Sequence, residues 1–211
     1  VAVLNSVAYV ADGLSGLQII NVTDSSSPTY LGTYNTRVAN DVSVVGTVAY
    51  LADGNEGLLI IDVTNPKSPT LMGSLETPGD SFGVDVVDSV AYVADGVSGG
   101  LRVIDVTNPS TPTLLGSYDT PGTAVRVTVE GSVAYVADRE SGLLIIDVSN
   151  PSAPTLLGIF DTPSVAFDVA VVDSIAYVAI DSAGFYIIYV LDRSCLVFLG
   201  SYVMPCEACG V

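Results

Sequence analysis

Two carboxylates and one guanidinium, Asp41, Asp168 and Arg126, are the residues of this chain best placed by type to do chemistry together. Each stands at the head of a short apolar run. The pairs heading successive runs are Asn40-Asp41, Phe82-Gly83, Val125-Arg126 and Phe167-Asp168, so these positions vary while their surroundings repeat. Two carboxylates in one pocket could serve as acid and base in cleaving a glycosidic bond, with Arg126 holding an acidic sugar. In that case alanine at Asp41 or Asp168 abolishes turnover. The same groups could equally pair with Arg126 and do nothing more. Phe82 and Phe167 would supply apolar walls, and the five residues together read as the mouth of a binding site.

Other acids recur at fixed places. Asp12, Asp53, Asp95 and Asp138 each follow an A-Y-V-A or A-Y-L-A run. Repeated around one face they could bind a cation or a sugar. The plainer use is to accept N–H groups in the turn that each Asp begins. Identical placement in four units favours the plainer use, because a structural need recurs with every unit and an active site need not. Asp62, Asp105 and Asp147 stand before T-N-P or S-N-P, Asn21 holds the same place in the first unit, and all read as turn organisers of the same kind. Carboxylates and loop carbonyls suit calcium, but no D-x-[DN]-x-[DN]-G loop is present, so the case for calcium is weak and no other cofactor is implied.

The chain has no His, which removes the usual general base and the commonest metal ligand. Its three Cys cluster near the end. Cys206-x-x-Cys209 has the spacing of a local disulfide or of half a zinc site, and only Cys195 remains as a further thiol. No metal site is expected from them. Asn21-Val22-Thr23 forms one glycosylation sequon, at a strand end.

Composition limits the partners. Twenty-three acids face six bases, for a net charge of −17, and the bases (Arg37, Lys67, Arg102, Arg126, Arg139, Arg193) are scattered. Nucleic acid requires a basic footprint, so it is excluded as a partner, and an anionic membrane surface is disfavoured. Mean hydropathy is high at +0.57, yet Asp, Asn, Gly or Pro breaks every apolar run short of the roughly 20 residues that span a bilayer. Membrane insertion is not expected. No signal peptide is visible ahead of Val1, which falls inside a strand pattern.

What must position these residues is a repeat. The Tyr of an A-Y-V phrase recurs at Tyr9, Tyr50, Tyr92, Tyr135 and Tyr177, spaced by 41, 42, 43 and 42 residues. The second unit shows its parts: strand A over Asp41–Val45, strand B over Val48–Asp53, strand C over Leu58–Val63 and strand D over Thr70–Thr77. Gly54 and Gly57 bound the B–C loop, and Pro66 and Pro69 fit only in the C–D turn. Four short strands in about 42 residues, with no helical periodicity, is the pattern of a propeller blade. The expectation is an all-β fold, a β-propeller of five four-stranded blades at approximately 1–40, 41–82, 83–125, 126–167 and 168–211, forming a single domain.

The stretches "LLIIDVTNPKSPTLMG", "LRVIDVTNPSTPTLLG" and "LLIIDVSNPSAPTLLG" resemble LVIVD repeats, which occur in bacterial and archaeal surface or secreted proteins. Units one to four carry the resemblance well. In the fifth, "YVLDRSCLVFLG" replaces the usual phrase and Ile180 replaces the repeated Asp. The WD40 pattern fits less well, since there is no Trp. The resemblance implies a β-propeller in an extracellular or cell-surface setting and no particular activity. Non-catalytic interaction or adhesion, with a protein or glycan partner, is the leading reading. A polysaccharide hydrolase or lyase is the second, and a building block of a larger ring, with self-association, is the third. Each unit starts with strand A and ends after strand D, so no blade is shared between the termini. Five blades must then close by packing alone or belong to something larger.

Overall fold

The structure, a computed structural model, describes residues 1–181, 184–190 and 196–202. Cys195, Cys206 and Cys209 lie outside the described residues. Among the described residues, twenty strands make five antiparallel sheets of four, each in simple sequence order. The first sheet holds β1 (Ala2–Leu4), β2 (Val7–Ala11), β3 (Leu17–Asn21) and β4 (Thr29–Tyr34); the second β5 (Asp41–Val45), β6 (Val48–Ala52), β7 (Leu58–Asp62) and β8 (Thr70–Leu75). The third holds β9 (Gly83–Val87), β10 (Val90–Ala94), β11 (Leu101–Asp105) and β12 (Thr113–Tyr118). The fourth holds β13 (Arg126–Glu130), β14 (Val133–Ala137), β15 (Leu143–Asp147) and β16 (Thr155–Phe160); the fifth β17 (Ala166–Val172), β18 (Ile175–Ile180), β19 (Gly184–Val190) and β20 (Leu196–Tyr202). This is a five-bladed β-propeller, with one blade per repeat.

Strands match the expected runs to within two residues. Asp53 leaves its strand because its N–H donates to Gly57 O at 2.9 Å and starts the B–C turn. The one helical turn among the described residues, α1 (Gly96–Gly99), was not expected. It follows from one extra residue: "DGVSGG" stands in blade 3 where blade 2 has "DGNEG", and the added length closes a Gly100 N–H to Gly96 O bond at 3.1 Å.

Side chains in the two middle strands alternate between the two faces of a blade. In blade 2, Leu59 and Ile61 face blade 1, and Leu58 and Ile60 face blade 3. All four are buried, which explains why the strand reads as an unbroken apolar run. Each consecutive pair of blades encloses one such core: Tyr9, Leu17 and Ile19 against blade 2; Tyr50, Leu58 and Ile60 against blade 3; Tyr92, Leu101 and Val103 against blade 4; Tyr135, Leu143 and Ile145 against blade 5. Burial of each large aliphatic side chain contributes about 1.5–3 kcal/mol, so these four interfaces supply most of the driving force.

Backbone approaches backbone at the outer rim. The Gly of the T-L-x-G phrase lies in strand D, beside a bulge that skips one residue between Ile60 and Ile61 in blade 2 and at the matching place in every other blade. A Cβ on Gly73 would meet Pro109 O at 2.4 Å, and one on Gly116 would meet Pro151 O at 2.5 Å. The N-P-x-x-P turn of the next blade therefore seats on this glycine. At Gly200, in the last blade, a Cβ would meet nothing within 4 Å.

The seam between blade 5 and blade 1 differs from the other four junctions throughout. Inner strands β5, β9, β13 and β17 each pack on the one before, whereas β17 and β1 do not pack in this way. Tyr177 is only half-buried, while Tyr9, Tyr50, Tyr92 and Tyr135 are all 5% exposed or less. Val3 is 64% exposed and Val172 58% exposed, on the faces that would meet across the seam. Among the described residues there is no fifth apolar core.

A direct test follows from the glycine seats. Gly116→Ala and Gly73→Ala should each destabilise the fold by about 1–3 kcal/mol, since something must move to admit the methyl group. Gly200→Ala should stay within about 0.5 kcal/mol of the parent. Chemical denaturation of the three variants checks this, and an equal loss at Gly200 would mean that a blade does sit against it.

Candidate functional site

The D–A and B–C loops share one face of the propeller. Bridges Gly13–Ala39, Gly54–Ser81, Gly96–Ala124 and Arg139–Ala166 tie each B–C loop to the start of the next blade. The A–B turns and the ends of the C strands share the opposite face, as in the bond from Val63 N–H to Thr47 O at 2.9 Å. Strand A is innermost in each blade. Its exposed edge offers unpaired backbone groups around the axis, which must find partners.

Side chains of neighbouring blades supply them. Asp41 accepts the Val84 N–H at 3.0 Å, and Asp85 accepts the Val129 N–H at 2.8 Å. The Thr128 hydroxyl donates to Val169 O at 2.9 Å. Ser43, Asp85, Thr128 and Ala170, the third residues of the inner strands as counted from Asp41, all line a cavity of about 420 Å³ along the axis.

At the loop end of this cavity the sequence-predicted residues converge. Arg126 in blade 4 reaches Asp41 in blade 2 at 2.5 Å and Asp168 in blade 5 at 2.8 Å. Both carboxylates are buried, and Asp168 also accepts the Val169 N–H at 2.9 Å. Burial works to lower the affinity of Arg126 for its proton, but the two carboxylates outweigh it and hold the guanidinium more firmly charged. Phe82, Phe167, Val125 and Asn40 stand around the same mouth, with Arg139.

The triad offers acceptors already engaged by a cation and by backbone donors. Acid–base cleavage needs one carboxyl that carries a proton to the leaving group. Among the carboxyls lining the axial cavity, the one whose proton affinity is raised by burial is Asp85, and its oxygens accept from Val86 and Val129. Asp85 and Arg139 were missed in the sequence. Asp85 could have been found from its place as the third residue of an inner strand, and Arg139 from its place where three other units have Gly.

The repeated acids take structural positions. Asp53 accepts the Val38 N–H at 2.9 Å; Asp95 accepts from Thr77 Oγ1 at 2.5 Å, Ser81 Oγ at 2.9 Å and Gly79 N at 3.0 Å; Asp138 accepts from Gly122 N at 2.7 Å. These partners lie in the D–A connection entering the same blade, whereas the expectation placed them in the B–C turn. The reason is direction: at the end of strand B the side chain leans toward the incoming chain beside strand A. The backbone of Asp12 closes the B–C turn through Ser15 and Gly16. Asp62, Asp105 and Asp147 accept N–H groups two residues on, from Thr64, Thr107 and Ser149, each at 2.8 Å, and Asn21 does the same for Thr23 at 2.9 Å. Among the described residues no group of three or more potential metal-ligating side chains converges.

Two outcomes test this account of the mouth. Arg126→Met should cost about 3 kcal/mol, the low end for stripping a partner from buried carboxylates because the mouth admits water, and adding Asp41→Asn and Asp168→Asn should restore most of it. Asp85 has a raised folded-state pKa, so its ionisation penalises the fold at neutral pH and the penalty disappears as pH falls toward the unfolded value of about 4. An Asn amide can accept only one of the Val86 and Val129 N–H bonds, a loss that does not depend on pH, so melting curves should show the stability of Asp85→Asn relative to the parent falling as pH drops from 7 toward 4. A relative stability that rises on acidification would contradict the assignment.

Comparison with known proteins accords with this architecture. A search of curated proteins finds no match. Among solved structures, the chain is similar to a functionally unknown protein from Desulfotomaculum acetoxidans (17% identity, TM-score 0.73, covering 96% of this chain and 69% of that one). It is similar to a protein from Lactobacillus plantarum (15%, 0.75, 94% and 66%) and to the RRP9 WD40 repeats (11%, 0.79, 97% and 65%). At these identities the likeness is one of fold, and the chain spans about two-thirds of the length of the structures it matches. The profile of the LVIVD repeat matches residues 1–36, 37–77, 78–120, 121–162 and 165–203. Repeat length, blade order and the phrase that seats each turn on its neighbour thus have one common source: the chain belongs to the LVIVD-repeat family.

Proposed function

We propose that the protein is a non-catalytic interaction module that binds its partner on the face formed by the D–A and B–C loops. The observation that carries this reading is the concentration of repeat-breaking residues there. The strand, turn and seat phrases are nearly identical through the first four blades, whereas the residues at this face, Asn40, Phe82, Arg126, Arg139 and Phe167, break the pattern. The same face exposes apolar loop tips, Leu14 at 85% and Val97 at 73%, and Arg37, Glu56 and Asp80 rim the hollow between the first three blades. Exposed apolar groups within a polar rim suit a partner surface. The acidity of the chain and the family resemblance support an extracellular or cell-surface setting, with a protein or glycan as partner. Engagement of Asp41 and Asp168 by Arg126 speaks for recognition over hydrolysis.

A second reading has its own observation. The half-exposed faces of blades 1 and 5, and the vacant seat at Gly200, are the two halves of the interface that the other blades already form. A blade of the same repeat would fit both. On this reading the 211-residue chain acts as a sector of a larger ring.

The first reading is tested by screening the chain against glycan and protein arrays beside a Leu14→Asp, Val97→Asp double variant. Both sites are exposed, so the melting temperature should stay within a few degrees. Ligands of the parent should be lost by the variant at least tenfold. Retention of every ligand, or no ligand for the parent, would overturn the loop-face reading.

A further inference from the structure

Blade 4 departs from its neighbours at one backbone position. After the strand-B aspartate come Gly13, Gly54 and Gly96, with φ of 52°, 51° and 63°; blade 4 has Arg139 there, with φ of 39°. A left-handed backbone suits glycine and is disfavoured for a long side chain. The turn itself does not need the arginine. Arg139 O accepts the Ala166 N–H at 3.1 Å, just as Gly13 O accepts that of Ala39 at 3.0 Å. What the substitution adds is therefore the side chain and its charge.

That side chain lies between two further repeat-breaking residues. The guanidinium carbon is 5.9 Å from the centre of the Phe82 ring and 5.6 Å from that of Phe167. Both rings attract the guanidinium through their faces and help to fix its position. Among the described residues no carboxylate lies within ion-pairing distance of Arg139, although the chain carries 23 acids. Its Nε is buried without a hydrogen-bond partner. Arg126, by contrast, is matched by Asp41 and Asp168.

Arg139 borders a cavity of about 230 Å³ with Asn40, Phe82, Arg126, Phe167 and Asp168. We propose that this cavity binds a carboxylated sugar, a hexuronate unit, through its carboxylate on Arg139. A fixed fork of donors matches a carboxylate bidentately. The net charge of −17 penalises a phosphate dianion more than a monoanion, and screening confines that field to roughly 8 Å at physiological salt. Asp168 beside the cavity repels a second acidic group, which counts against an acidic peptide. Asn40 commits its amide nitrogen to Ser81 O at 2.8 Å and keeps a carbonyl as acceptor for a sugar hydroxyl. The volume is below the about 300 Å³ at which pockets for drug-sized ligands begin, and so fits a single ring.

This assignment rests on the loop face being the binding surface, and it deepens that reading. The test is titration of the chain with galacturonate, galactose and glutamate, followed by amide chemical shifts. Galacturonate should shift amides of 139–142 and 166–168, and galactose should bind at least tenfold more weakly. Arg139→Gly restores the residue used by the other blades, so it should fold normally and lose galacturonate at least tenfold, while Arg139→Lys should recover only part. Equal binding of galactose, undiminished binding by Arg139→Gly, or no galacturonate binding would overturn the site. Glutamate binding as tightly as galacturonate would overturn the sugar. If galacturonate fails while array ligands still depend on Leu14 and Val97, the loop-face reading stands and this assignment alone falls.

Discussion

Face-to-face burial of one small sheet against the next is the constraint on which everything else here depends. A four-stranded blade of about 42 residues is apolar on both sides and cannot hide either side by itself. Leu58 and Ile60 find cover only on blade 3, and Leu59 and Ile61 only on blade 1. The repeated phrase of the sequence is the record of that requirement. Its Leu and Ile fill the interfaces, its Gly admits the next backbone, and its N-P-x-x-P turn is what arrives there. Remove one neighbour and a blade loses half its core, as blades 1 and 5 show on their unmatched sides.

The same arrangement creates the mouth. Stacking the blades about an axis sets the inner strands edge to edge, and each edge has to satisfy its polar groups without a further strand. Asp41 and Asp85 do so across blade boundaries, and Arg126 spans from blade 2 to blade 5. These polar links are a consequence of packing before they are anything functional. They also set the local electrostatics: Arg126 is held charged by two carboxylates, and Arg139, at the same mouth, lies against two aromatic rings with its Nε without a hydrogen-bond partner. One guanidinium set among Asp41, Asp168 and Asp85 leaves this part of the axis with an excess of negative charge.

Much of this was legible in the residues. The spacing of Tyr9, Tyr50, Tyr92, Tyr135 and Tyr177 specifies the blades, and Pro and Gly punctuate the strands to within two residues. The grouping of Asp41, Phe82, Arg126, Phe167 and Asp168 follows from their shared place at the head of strand A, once strand A is taken as innermost. Three things were not legible. The partners of Asp53, Asp95 and Asp138 depend on which way a side chain leans at a strand end, and a repeat pattern carries no such direction. The α1 turn depends on how a single inserted residue is absorbed. The importance of Arg139 appears only when Phe82 and Phe167, 57 and 28 residues away, are seen on either side of it.

Because stability is carried by neighbours, it should be graded along the chain, and native-state hydrogen exchange measures that grading residue by residue. The account predicts the slowest exchange in the middle strands of blades 2, 3 and 4, covered on both sides, with amides of Leu101–Asp105 outlasting those of Leu17–Asn21 and Gly184–Val190. Uniform protection across all five blades would show that the seam is sealed and that the terminal faces are not open, and would contradict the account.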